Sequence, residues 1–117
     1  MKNTCLFLLI AIAASAAELP SPDEKLQIET KMADLAARVK ALAAKKTDPG
    51  LLADVDIYRK AAEYILRFPD EFATKVFTTN TISALDTGIA RAKELEAGAP
   101  SWPKRKGHVL RAYYSTP

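Results

Sequence analysis

The sequence has few of the residues that form cross-links or reactive sites. It contains one cysteine, one histidine and one tryptophan. The cysteine is Cys5, which lies before an apolar run near the start of the chain, and no second thiol can pair with it. A disulfide framework and a cysteine-ligated metal site are therefore excluded. The stability of the chain must come from packing alone.

The chain is also short, and no single class of residue dominates it. A length of 117 residues supplies one domain and excludes a two-domain enzyme, most barrels and doubly wound sheets. Hydrophobic residues make up 49% and charged residues 26% of the sequence, which excludes a multispanning membrane protein and a disordered chain. With 17 Lys+Arg against 14 Asp+Glu, the formal net charge is +3.

The only long hydrophobic run lies at the N-terminus and has the pattern of an export signal. Lys2 precedes the run Leu6–Ala14, and Ala14-Ser15-Ala16 supplies the small residues that a signal peptidase accepts. The run is shorter than the roughly 20 apolar residues of a spanning helix; an uncleaved anchor is the alternative. We predict a signal peptide over residues 1–16 and an exported protein, periplasmic or secreted, with no stable membrane insertion after cleavage.

The next segment, residues 17–98, has the periodicity of a helical bundle. Ser21, Pro22 and Glu24 form a capping-box pattern at the start of a long first helix. One apolar seam then follows at helical spacing, through Ile28, Met32, Leu35, Val39 and Leu42. Residues 47–50, Thr-Asp-Pro-Gly, end this helix.

Two further main helices are predicted after that turn. The second covers about residues 54–68 and has Val55, Tyr58, Ala62 and Ile65 on its inner face. A short helix follows Pro69, and a polar break at residues 78–81 separates it from the last helix. That helix covers about residues 81–97, with Ile82, Leu85, Ile89 and Ala92 inward. Within it Gly88 indicates either a close helix crossing or a glycine that the helix merely tolerates, and Gly98 is placed as a left-handed C-cap.

The character of the sequence changes over residues 99–117. Residues 99–103 are typical of an extended linker, and residues 104–107 form a basic turn. Residues 108–114, HVLRAYY, alternate in the manner of a β-strand, but no other segment has that period. The fold class is therefore predicted as mainly α, a bundle of three to four helices whose tail ends in one unpaired strand. We expect the partner strand beyond Pro117; pairing with another chain and a disordered or helical tail are the alternatives.

The candidate contact residues lie in this tail. Four positive charges and no acid lie between Ser101 and Pro117. With the neighbouring tryptophan they form a possible contact site for an anionic polymer or membrane surface, made of Trp102, Lys104, Arg105, Lys106 and Arg111. The interpretation favoured by the sequence is a solvated turn or a surface that faces an acidic neighbouring domain. Nucleic acid is not an expected partner of an exported protein.

The remaining polar residues form no recognisable catalytic or metal-binding pattern. His108, the only histidine, has no evident nucleophile or orienting acid beside it in the sequence. Asp54 and Asp56, with Asp48 upstream, lack the spacing, the central glycine and the closing glutamate of a calcium loop. Helix capping explains Asp54 better. We therefore predict no catalytic residue, no metal and no cofactor.

The order of several short segments resembles the N-terminal region of secreted bacterial α/β-hydrolases of the prolyl-oligopeptidase-like type. The segments are Val55–Leu66, Leu85–Ala92, Pro100–Trp102 and Lys106–Tyr113. The resemblance implies a helical region before a β-hairpin that leads into a hydrolase sheet. Such enzymes carry a G-x-S-x-G nucleophile elbow, and none of the serines of the chain after its leader, Ser21, Ser83, Ser101 and Ser115, lies in one.

Two functions are therefore predicted. The first is a non-catalytic N-terminal segment of an exported hydrolase, truncated before the catalytic domain, with that domain or another chain as its partner. The second is a free-standing periplasmic or secreted helical interaction module that binds a protein or an anionic partner.

Overall fold

The computed structural model describes residues 18–115, in which three helices form the body of the molecule. Helix α1 covers Pro22–Ala44, α2 covers Pro49–Arg67 and α3 covers Lys75–Glu96. Short 3₁₀ turns cover Pro69–Phe72 and Trp102–Lys104. The predicted signal peptide lies outside the described residues. The mainly helical class is confirmed, and among the described residues the number of α-helices is three.

The helices run up, down and up. Three ion pairs connect α1 to α3 in the same order along both helices, so these two helices are parallel: Glu24–Lys75, Lys31–Asp86 and Arg38–Glu96. Helix α2 is antiparallel to α3, since Asp54 near its start contacts Arg91 and Tyr58, one turn later, contacts Gly88. The end of the bundle that holds the start of α2 is also the end from which the C-terminal segment leaves α3.

Helix α1 forms as its sequence predicts. The Ser21 hydroxyl accepts a hydrogen bond from the Glu24 amide at 3.2 Å, and the Glu24 carboxylate accepts one from the Ser21 amide at 3.2 Å. Ile28, Leu35 and Leu42 of the predicted seam are completely or almost completely buried. Because they recur every seven residues, they form a single buried line along the helix.

Gly88 lies where the three helices approach most closely. A Cβ atom built on it would be 2.8 Å from Leu35 Cδ2 and 2.8 Å from the Cβ of Tyr58. Glycine is therefore required by the packing of α1 and α2 against α3, and the predicted close crossing is confirmed.

The start of α2 differs from the prediction. The helix begins at Pro49, and Asp48 is its N-cap, with its carboxylate accepting from the Leu51 amide at 3.0 Å. Asp54 is consequently inside the helix, and its predicted role as a cap is wrong. The earlier start follows from Pro49, whose ring suits the first helical position, and from Asp48 immediately before it.

The predicted polar break at residues 78–81 is also wrong, because α3 continues through it. The hydroxyls of Thr79 and Thr81 donate to the carbonyls of Lys75 and Phe77, one turn earlier, at 3.2 and 2.7 Å. These bonds satisfy the hydroxyls without breaking the helix. The first turn of α3 is supported from outside, since the Glu18 carboxylate accepts from the Lys75 amide at 3.0 Å.

Thr78 is the exception among these threonines, because its hydroxyl is fully buried and has no hydrogen-bond partner among the described residues. We expect Thr78→Val, which keeps the side-chain shape, to raise the free energy of unfolding by about 1 kcal/mol, since an unsatisfied buried hydroxyl is removed. Urea denaturation measures this change. Thr79→Val is the matched control on the exposed face and should change stability by less than about 0.5 kcal/mol. A destabilised Thr78→Val variant would contradict the prediction.

The C-terminal segment is not a strand. After the turn at Trp102–Lys104 the described chain, through Ser115, forms no helix and no β-ladder with any described residue. The predicted unpaired strand over residues 108–114 is therefore not supported in the described part of the chain, and two of its polar backbone groups bond to side chains described below. No helix in residues 18–115 is long and apolar enough to cross a membrane.

Candidate functional site

The most unusual feature of the molecule is a buried aspartate in α2. Asp54 has no solvent exposure. Its carboxylate accepts hydrogen bonds from the Trp102 indole at 2.9 Å, from Arg111 Nε at 2.6 Å and from the Ala112 amide at 2.6 Å. All of these donors belong to the C-terminal tail, which we define as residues 99–115. A single side chain of α2 thus holds the tail at two places nine or more positions apart in sequence.

Arg91 of α3 is the second buried charged residue of this region, with 8% exposure. Its Nη1 donates to the Asp54 carbonyl at 3.1 Å and to the Leu110 carbonyl at 2.9 Å. The guanidinium lies 5.1 Å from the ring centroid of Tyr58 and 4.9 Å from that of Trp102. It therefore connects α2, α3 and the tail through hydrogen bonds and through cation–π contacts.

Trp102 lies in the hydrophobic core. Only 1% of its surface is exposed, and it packs in the same cluster as Leu42, Leu52 and Leu95. Its indole N–H is satisfied by Asp54, as a buried tryptophan requires. The residue is therefore covered by the protein itself, in contrast to the other candidate contact residues of the tail.

The base of the tail has a further attachment at Ser101. The Glu94 carboxylate accepts from the Ser101 amide at 3.0 Å and from its hydroxyl at 2.8 Å. The hydrogen bond from the Ser101 amide, followed by that from its hydroxyl, lowers the pKa of Glu94 below its ordinary value. Just before this point Gly98 has φ of 71°, which confirms its prediction as a left-handed C-cap and turns the chain out of α3.

The end of the tail lies against the outer side of α2. The Tyr114 ring is 5.2 Å from Lys60 Nζ, and partial burial followed by the charge of Asp56 raises the pKa of its phenol. Asp56 also accepts from Arg59 at 2.6 and 3.2 Å, and this hydrogen bonding raises the pKa of Arg59. Tyr114 therefore fastens the tail beyond the Asp54 contacts.

These contacts leave a basic loop exposed. Lys104, Arg105 and Lys106, which we call the basic loop, are all exposed, and so is His108. Arg111 differs, since its side chain is half exposed but its Nε is paired with Asp54. Of the predicted contact residues, Trp102 is therefore buried and Arg111 is paired with Asp54. Lys104, Arg105 and Lys106 are exposed to solvent.

The described residues contain no group of three or more histidine, cysteine, aspartate or glutamate side chains placed to hold a metal ion. Asp54 is fully engaged with tail donors, and Asp56 with Arg59. Asp54 therefore bonds to the tail, whereas the hydrogen bonds of Asp56 to Arg59 lie within α2.

No family model, no curated protein and no solved structure matches this chain.

The sequence analysis missed the roles of Asp54 and Arg91. A signal for both was present, because each lies next to an inward-facing apolar residue, Val55 and Ala92 respectively. A charged residue at the edge of an apolar helix face is typical of either a solvated position or a buried pair. The sequence does not show which, since the partners lie 19 to 58 positions away along the chain.

Proposed function

We propose that this protein is an exported helical interaction module and that its basic loop binds an anionic partner. The observation that carries the proposal is the fastening of the tail by Asp54, which holds Lys104, Arg105 and Lys106 exposed on an ordered backbone. A loop that is already ordered loses little conformational entropy when it binds.

The charge distribution supports an anionic partner. No acidic residue lies between Ser101 and Pro117, so the basic side chains are not neutralised within their own segment. The charge of Arg105 contributes to the lowered pKa of Glu94, whose carboxylate also accepts hydrogen bonds from Ser101. The charged side chains that the tail exposes to solvent are therefore all positive, which favours an anionic partner.

The alternative function, a truncated front segment of an exported hydrolase, depended on an unpaired strand. Its argument was that backbone groups of residues 108–114 required a partner from elsewhere. Two of these groups have hydrogen-bond partners within the chain itself, since the Ala112 amide donates to Asp54 and the Leu110 carbonyl accepts from Arg91. The hydrolase resemblance stays a prediction, and the interaction module is the function that we propose.

The test is binding to a soluble polyanion, poly-L-glutamate, by titration calorimetry at low salt. We expect the triple variant Lys104→Gln, Arg105→Gln, Lys106→Gln to weaken binding at least tenfold. The control removes the same charge from the opposite end of the bundle with Lys25→Gln, Arg67→Gln and Lys75→Gln, and should weaken binding less than threefold. Added salt should weaken the binding of the unmodified protein. An equal loss in both variants would mean that net charge alone is responsible and would overturn the proposal.

A further inference from the structure

The exposed surface of the tail combines basic and apolar side chains. Beyond the basic loop, Leu110 is 54% exposed and Tyr113 is 86% exposed, the largest exposure of any large hydrophobic residue in the described chain. Neither side chain packs in the core cluster. A tail that is fixed to the body of the protein nevertheless presents its large apolar groups to solvent.

This exposure follows from how the tail is attached. Its inward contacts use the Leu110 carbonyl, the Arg111 side chain and the Ala112 amide, and Val109 packs partly buried against the core. Leu110 and Tyr113 are left outside these contacts. The Leu110 carbonyl and the Ala112 amide are thus hydrogen-bonded to the body of the protein, while the side chains of Leu110 and Tyr113 remain available to another surface.

We propose that the anionic partner is the surface of a phospholipid bilayer rich in acidic lipid, and this inference rests on the proposed function. Lys104, Arg105 and Lys106 interact with headgroup phosphates, and Leu110 and Tyr113 enter the interfacial layer. Tyrosine is enriched at membrane–water interfaces because its ring is apolar and its hydroxyl is polar. Basic residues near an acidic bilayer each contribute about fivefold to binding.

A bilayer explains both the basic loop and the exposed apolar side chains of Leu110 and Tyr113, whereas a soluble polyanion explains only the basic loop. A purely electrostatic partner interacts with the basic loop and is indifferent to Leu110 and Tyr113. Interfacial attachment uses apolar burial together with attraction to anionic lipid. It requires no spanning segment, in agreement with the described helices, none of which is long and apolar enough to cross a membrane.

The experiment is vesicle co-sedimentation with the protein purified after export, all variants having the same N-terminus by mass spectrometry. Vesicles of phosphatidylglycerol and phosphatidylcholine are compared with vesicles of phosphatidylcholine alone, which measure any contribution of the N-terminal residues. We expect the double variant Leu110→Ser, Tyr113→Ser to weaken binding to the acidic vesicles about tenfold and to leave poly-L-glutamate binding unchanged. The control, Leu26→Ser with Val76→Ser, removes two similarly exposed apolar residues elsewhere and should change neither.

Each outcome decides between the two proposals. If the double variant binds acidic vesicles as tightly as the unmodified protein does, the bilayer inference is wrong. If the basic-loop variant then loses binding both to the vesicles and to poly-L-glutamate, the proposal of an anionic partner is still supported. If the control weakens vesicle binding as much as the double variant, the apolar effect is not specific to the tail and the inference is overturned. If the unmodified protein binds neither acidic vesicles nor poly-L-glutamate, the proposed function itself fails.

Discussion

Replacing Asp54 by alanine is expected to lower the free energy of unfolding by about 4 kcal/mol, because a buried ionic group with several donors is removed and its partners stay behind. The Trp102 indole, Arg111 Nε and the Ala112 amide would lose their acceptor together. The fluorescence of Trp102, the only tryptophan, should shift to longer wavelength as the tail separates from α2. Urea denaturation and the emission spectrum measure the two effects.

Asp34→Ala is the matched control for this experiment. Asp34 is about half exposed and pairs with Arg38 on the surface of α1 at 3.1 Å, so its loss should cost less than about 1 kcal/mol. Should Asp54→Ala fail to fold, Asp54→Asn keeps the volume and one acceptor oxygen, and an intermediate loss is expected. A cost below about 1 kcal/mol for Asp54→Ala, with unchanged indole emission, would show that Asp54 does not fasten the tail.

Replacing Gly88 by valine is expected to lower the free energy of unfolding by about 3 kcal/mol, because the new side chain overpacks the helix crossing. Its Cβ would lie 2.8 Å from both Leu35 Cδ2 and the Cβ of Tyr58. The end of the Leu35 side chain can move, but the Cβ of Tyr58 moves only with α2. The helices must therefore separate, and thermal or urea denaturation measures the cost.

The control for Gly88 uses the same helix. Ala90 is exposed on α3, and Ala90→Val introduces the same β-branched side chain without a clash, so its cost should be about 0.5 kcal/mol. Gly88→Ala should lie between the two, since alanine favours the helix but still adds the clashing atom. If Gly88→Val and Ala90→Val cost the same, the crossing tolerates a side chain and the packing argument is wrong.

Local sequence patterns predicted α1 well and the later helices less well. The capping box at Ser21 and Glu24 involves residues three positions apart, and the seam through Ile28, Leu35 and Leu42 is a regular repeat. Both can therefore be recognised without knowing the rest of the structure. The threonines at residues 78–81 misled the prediction, because a hydroxyl that caps one helix can equally bond to a carbonyl inside another.

The tail shows why a strand pattern is not sufficient. Residues 108–114 have the composition and alternation of a strand, and no helix forms there in the structure. What they lack is a neighbouring strand. The Leu110 carbonyl and the Ala112 amide instead bond to the side chains of Arg91 and Asp54, which a pattern based on strand pairing does not consider.

The sequence by itself determined the helical class, the position of the seam in α1 and the concentration of basic charge near the C-terminus. These properties depend on residues close together in the chain or on composition. Only the tertiary structure decided that Trp102 is buried, that Asp54 holds the tail and that the basic loop stands exposed. Those outcomes depend on contacts between residues 37 to 58 positions apart, where hydrogen-bond partners are chosen by packing in three dimensions.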